Sequence, residues 1–148
     1  MIFETATEQA TIALGTQLAR FLKPGSVVAF YGDLGTGKTT MIKGFARGLG
    51  VQETVKSPSF VIITEYQGRL PVYHIDLYRL KSTAELIEIG LEFYLHGDGV
   101  CLIEWADRAE SFLPPNTIRI RLSLTPNGRE ISVEDLDPGL AQELKQLV

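Results

Sequence analysis

The feature that most constrains this chain is the segment Gly32-Asp33-Leu34-Gly35-Thr36-Gly37-Lys38-Thr39. It matches the pattern G-x-x-x-x-G-K-[ST] at every fixed position. Before it runs Ser26 to Tyr31 (SVVAFY), a short, apolar, β-branched stretch that predicts a buried strand. After it, Thr39 to Leu49 predicts a helix closed by Gly48 and Gly50. Strand, glycine loop and helix in this order make a phosphate cradle. Glycines let backbone N–H groups turn inward around phosphate oxygens without Cβ clashes. The helix start adds its dipole and its unpaired N–H groups. The expectation is that Leu34, Gly35, Thr36, Gly37, Lys38, Thr39 and Thr40 line a nucleoside triphosphate. Lys38 then reaches the β- and γ-phosphates, and the Thr39 hydroxyl coordinates magnesium.

Elsewhere the pattern alternates between helix and strand. Thr5 to Leu22 has helical spacing, with Thr5 or Thr7 as N-cap and Pro24-Gly25 as its stop. Phe60 to Tyr66 and Val72 to Leu77 predict an antiparallel hairpin around Gln67-Gly68-Arg69. Ser82-Thr83-Ala84-Glu85 has a capping-box layout opening a short helix. Val100 to Ile103 predicts a second buried strand, ending in Glu104-Trp105. Thr117 to Leu124 and Arg129 to Glu134 alternate around Pro126-Asn127-Gly128, a second hairpin. Asp137 to Val148 suits a last amphipathic helix. The expected class is α/β, a three-layer P-loop NTPase fold whose mixed parallel and antiparallel sheet is flanked by helices.

A length of 148 residues fits one domain spanning 1–148, and 45% hydrophobic with 22% charged residues is a globular profile. No apolar run approaches the roughly 18 residues of a membrane span. The N-terminus lacks a signal-peptide layout. The single cysteine, Cys101, excludes an internal disulfide and reads as a small buried hydrophobe. A cytoplasmic setting is expected. Net charge is −4, from 14 basic and 18 acidic residues, so a tight grip on DNA or RNA by this chain alone is disfavoured.

A P-loop NTPase also needs a carboxylate near magnesium and a group to orient the attacking water. Two acids at strand ends compete. Glu104 ends Val100-Cys101-Leu102-Ile103, the layout of a Walker-B-type acid. Asp76 lies in His74-Ile75-Asp76-Leu77-Tyr78-Arg79, where alternation puts it on one face with His74. One can serve magnesium and the other water, and the residues alone do not assign them. His74 reads as a strand residue with a satisfied hydrogen bond, His96 as a loop residue, and Trp105 as a cap on the core. Ser57-Pro58-Ser59-Phe60 follows the P-loop helix where related enzymes carry a switch segment.

There is no N-K-x-D motif and no D-x-x-G after the loop, so adenine is preferred over guanine. A small-molecule P-loop kinase is the rival class, but its Arg-rich lid has no counterpart here. A nucleotide-gated binding module is a third option.

Four blocks in order carry a family resemblance: residues 32–40 (GDLGTGKTT), 55–60 (VKSPSF), 73–80 (YHIDLYRL) and 100–105 (VCLIEW). Together they resemble the TsaE (YjeE) family of bacterial P-loop ATPases in tRNA threonylcarbamoyladenosine (t6A) synthesis, over nearly the whole chain. Ser59 stands where the family usually has Thr, and Ala106 where Pro is common. The resemblance implies binding of ATP and Mg2+, weak hydrolysis alone, and action with a TsaB–TsaD pair that modifies adenosine 37 of tRNA. The chain would meet tRNA only indirectly. It further implies that Asp76 and Glu104 are the magnesium-associated acids, with Glu104 polarising water, and that Ser57 to Phe60 is switch-like. Arg129 is similar to a family position near the nucleotide, and Thr7 and Glu8 would lie by the adenine.

Overall fold

A computed structural model of the chain describes residues 1–56, 62–134 and 138–147. The strands are β1 (Ile2–Thr5), β2 (Val27–Tyr31), β3 (Ile63–Gln67), β4 (Pro71–Asp76), β5 (Val100–Glu104), β6 (Ile118–Thr125) and β7 (Gly128–Glu134). They form one sheet in the order β1-β7-β6-β2-β5-β4-β3. β2 pairs in parallel with both β5 and β6, and β5 in parallel with β4. The pairs β1–β7, β6–β7 and β3–β4 are antiparallel. Parallel pairing therefore occupies the middle of the sheet and antiparallel pairing its two flanks, which is the expected mixed sheet. β2 and β5 are buried along their whole length, which is why both read as continuous apolar runs rather than alternating ones.

Helices cover both faces. On one face, α1 (Glu8–Leu18) and α2 (Lys38–Gly48) pack over a core of Leu14, Phe30, Ile42, Phe45, Leu102 and Ile120, and Leu144 of α5 (Pro138–Leu144) joins it. On the other face, α3 (Thr83–Glu88) and α4 (Leu91–Leu95) cover Ala29, Ile75, Leu77, Cys101 and Ile103. Cys101 is buried, and that burial pushes its thiol up to about 12. Among the described residues no helix is long and apolar enough to cross a membrane.

The seam between α1 and α2 is unusually close. A Cβ on Gly15 would sit 2.6 Å from the Met41 carbonyl oxygen, and one on Gly48 2.5 Å from that of Thr16. The Thr16 hydroxyl donates to the Gly44 carbonyl at 3.1 Å. Backbone thus meets backbone, and the second half of α1 is held against the helix that carries the glycine loop.

Several local expectations change. The first helix starts at Glu8 and ends as 3-10 helix over Ala19–Phe21; Thr7 caps it, accepting from the Ala10 N–H at 3.0 Å. The residues before it are strand β1, not helix, because Ile2 and Glu4 alternate with buried Phe3 and Thr5 on the edge of the sheet. The capping box at Ser82 does not form. Ser82 makes no side-chain cap, while the Glu85 carboxylate accepts from the Lys81 N–H at 2.7 Å. Both hairpins form, with Tyr66 opposite Val72 and Leu124 opposite Arg129. The proposed switch segment Ser57 to Phe60 lies outside the described residues.

Candidate nucleotide site

β2 ends at Tyr31 and α2 begins at Lys38, so the glycine loop spans the carboxyl end of a central strand and a helix start. Gly37 is the N-cap residue at φ 101°, ψ 21°, and no side chain caps the helix. The N–H groups of its first turn are therefore left for an external acceptor, the arrangement that binds phosphate. Within the loop the Thr36 hydroxyl donates to the Asp33 carbonyl at 2.8 Å, closing the turn. Asp33, Leu34 and Gly35 are exposed, and Leu34 is 70% accessible although it is a large apolar residue.

Lys38 is folded back into the loop. Its ammonium donates to the Gly32 carbonyl, to the Asp33 carbonyl at 3.0 Å, and lies 4.1 Å from the centre of the Trp105 ring. Burial pulls its pKa below the ordinary lysine value, partly offset by the carboxylates of Glu104, Asp33, Asp76 and Asp107.

Glu104 and Asp76 are register partners at the carboxyl ends of adjacent parallel strands. Glu104 is buried and its two oxygens are shared out. Oε1 accepts from the Thr39 hydroxyl at 2.9 Å, and Oε2 lies 2.6 Å from His74 Nε2. Asp76 is less enclosed, and its Oδ1 accepts from the Tyr78 N–H at 3.0 Å. The structure thus gathers Lys38, Thr39, Glu104 and Asp76 at one end of the sheet. It gives the two acids different surroundings, a distinction that their similar strand-end positions hide.

Arg129 arrives from the far end of the chain. It is the second residue of β7, opposite Thr5 of β1, and its Nε donates to the Thr36 carbonyl at 2.8 Å. A Cβ on Gly37 would come within 2.8 Å of Arg129 Nε, and the left-handed backbone there, φ 101°, favours glycine in any case. Thr7 and Glu8 come two and three residues after Thr5 and are exposed at the start of α1.

Trp105 corrects its expected role as a cap on the core. It packs against the second cluster, but it also underlies the Lys38 ammonium and leans on Tyr78, ring centres 4.9 Å apart. Its backbone is left-handed, φ 58°, the one such non-glycine among the described residues. Strain of this kind concentrates at functional sites. Its position directly after the strand-end acid was the available signal. A further group escaped sequence reasoning. The Tyr31 hydroxyl donates to Glu110, which accepts from Arg119 Nε at 2.9 Å, and Arg121 lies 4.6 Å from the Tyr31 ring centre. Burial first, then the bond to Glu110, raises the Tyr31 phenol to about 12.

A helix-flanked mixed sheet, with a glycine loop from a central strand into a helix and a strand-end acid against the loop threonine, defines a P-loop NTPase. The crystal structure of Bacillus subtilis YdiB has this fold, with a TM-score of 0.84 and 39% identity, over 99% of this chain and 95% of that one. The chain belongs to the TsaE family, whose model, described as threonylcarbamoyl adenosine biosynthesis protein TsaE, matches residues 5–131. Among relatives named tRNA threonylcarbamoyladenosine biosynthesis protein TsaE, that of Treponema pallidum is 46% identical, over 84% of this chain and 93% of its own. That of Bacillus subtilis is 48% identical, over 80% and 74%.

Proposed function

We propose that this protein is a magnesium-dependent ATPase of the cytoplasm that supports threonylcarbamoyl transfer to adenosine 37 of tRNA by a TsaB–TsaD partner complex. The observation that carries this reading is the 2.9 Å bond between the Thr39 hydroxyl and Glu104 beside the buried Lys38. The names of the relatives supply the pathway.

Hard oxygen donors suit magnesium. Mg2+ usually takes only one or two protein carboxylates and keeps phosphate and water as its other ligands. Thr39, Glu104 and Asp76 offer that kind of set, so the residues present fit the ion. Bound there, magnesium neutralises charge on the phosphates. Lys38 leaves its carbonyl partners to pair with the β- and γ-phosphates. The N–H groups of Thr39 and Thr40 and the backbone of Leu34 to Gly37 hold phosphate oxygens. Glu104, buried and fixed in orientation, polarises the attacking water, and Asp76 supports the ion from the neighbouring strand. Arg129 braces the loop from outside, and Glu8 borders the adenine. The acidic net charge fits a subunit that leaves tRNA to its partners.

The test is reconstitution of tRNA modification with TsaB and TsaD, with and without this chain and ATP. Repeated turnover that requires both is expected, with Glu104→Ala binding ATP but failing to hydrolyse it. Modification that proceeds equally without the chain overturns the reading. Phosphate transfer to an added small molecule, with no hydrolysis in its absence, would establish a kinase instead.

A further inference from the structure

His74 is 1% exposed, on β4, with its side chain on the same sheet face as Asp76 and beside Glu104 of β5. Its Nε2 lies 2.6 Å from Glu104 Oε2. A carboxylate only accepts, so Nε2 carries the hydrogen. Nδ1 is buried without a hydrogen-bond partner among the described residues. Burying an imidazole in this way is unfavourable unless the one bond it makes matters. A strand residue placed only for packing would leave Glu104 free to turn. Here the carboxylate is pinned at both oxygens, by His74 and by Thr39.

The two restraints differ in kind, one from a side chain of the nucleotide loop helix and one from a neighbouring strand. The Thr39 hydroxyl is the group that would ligate magnesium, whereas His74 lies on β4, outside the phosphate loop, and holds the opposite oxygen, Oε2. We propose that His74 is a positioning residue whose Nε2–H fixes the Glu104 carboxylate, so that Oε1 stays aimed at the metal and water through the catalytic cycle. The proposal rests on the role given to Glu104 above. Partners that orient a ligating or polarising carboxylate typically contribute ~10–100-fold in activity.

The experiment compares wild type with His74→Leu, His74→Gln and Glu104→Gln, each with its partner proteins, measuring kcat and KM for ATP and the thermal midpoint. The amide nitrogen of Gln reaches about where Nε2 does, so it can restore the donor. His74→Leu is expected to lose ~10–100-fold in kcat with KM changed less than about threefold. His74→Gln is expected to recover most of that loss. A long-range 1H–15N spectrum of the nucleotide-free wild type should show His74 protonated at Nε2 and bare at Nδ1. The proposal falls if His74→Leu keeps its kcat, if folded His74→Gln is as slow as His74→Leu, or if the ring is protonated at Nδ1 alone. Should His74→Leu fail to fold, the Gln variant and the spectrum decide. Normal hydrolysis by Glu104→Gln would instead overturn the role of Glu104 itself, a distinguishable failure.

Discussion

Arg129 donates from Nε to the carbonyl of Thr36 at 2.8 Å, across 93 residues of sequence. A late hairpin therefore braces the glycine loop, and the loop geometry depends on a strand that shares no motif with it. Charge-assisted hydrogen bonds contribute about 1.5–3 kcal/mol, and about 1.4 kcal/mol is tenfold in affinity. Arg129→Ala should weaken ATP binding by about tenfold or more, measured by calorimetry. Unchanged affinity would show that the loop holds its shape unaided.

Lys38→Ala removes the ammonium proposed to pair with the phosphates. ATPase activity with partners is expected to fall to background, while the thermal midpoint without nucleotide should change little, because the lost bonds go to loop carbonyls that water can reach. A variant with appreciable turnover in a phosphate-release assay would refute the assignment.

Gly15→Ala pits two effects against each other. Alanine favours the helix by about 1 kcal/mol. Its Cβ would meet the Met41 carbonyl oxygen at 2.6 Å, and backbone cannot give way as a side chain can. Overpacking of this kind costs about 1–3 kcal/mol, so the clash should win. The expected drop in thermal midpoint is about 2–4 °C per kcal/mol, by calorimetry or circular dichroism.

Tyr31 supplies a pH signature. Its phenol is raised from 10.0 to about 12, so the folded state favours the protonated form. Stability from this group is complete below pH 10, the unfolded value, and is lost as pH rises towards 12. Ultraviolet titration should show this tyrosine ionising late, and Glu110→Gln should bring it part of the way down. A Tyr31 signal that titrates at its ordinary value would remove Glu110 and burial as causes.

Legibility in the sequence followed the range of the interactions. The P-loop, both hairpins and the central strands were readable because their signals are local: glycine spacing, alternation and apolar runs. β1 was missed because four edge residues give little alternation, and the helix pattern next to them masks it. The capping box at Ser82 failed because Glu85 found the Lys81 N–H instead. Within the site, the acids were visible but not their difference. That difference comes from Glu104 standing between Thr39 and His74, a relation made by strand pairing. The contacts of Trp105 and Arg129 with the loop are tertiary in the same sense.

The folded-back ammonium of Lys38 has a consequence for energetics. In the structure its charge has two carbonyls and an indole face for company. On the proposed function, nucleotide binding would exchange partners for that charge rather than rescue a bare one. Its affinity would then report the difference between two satisfied states, so a change that loosens these contacts, such as loss of the indole, would tighten nucleotide binding without touching the nucleotide.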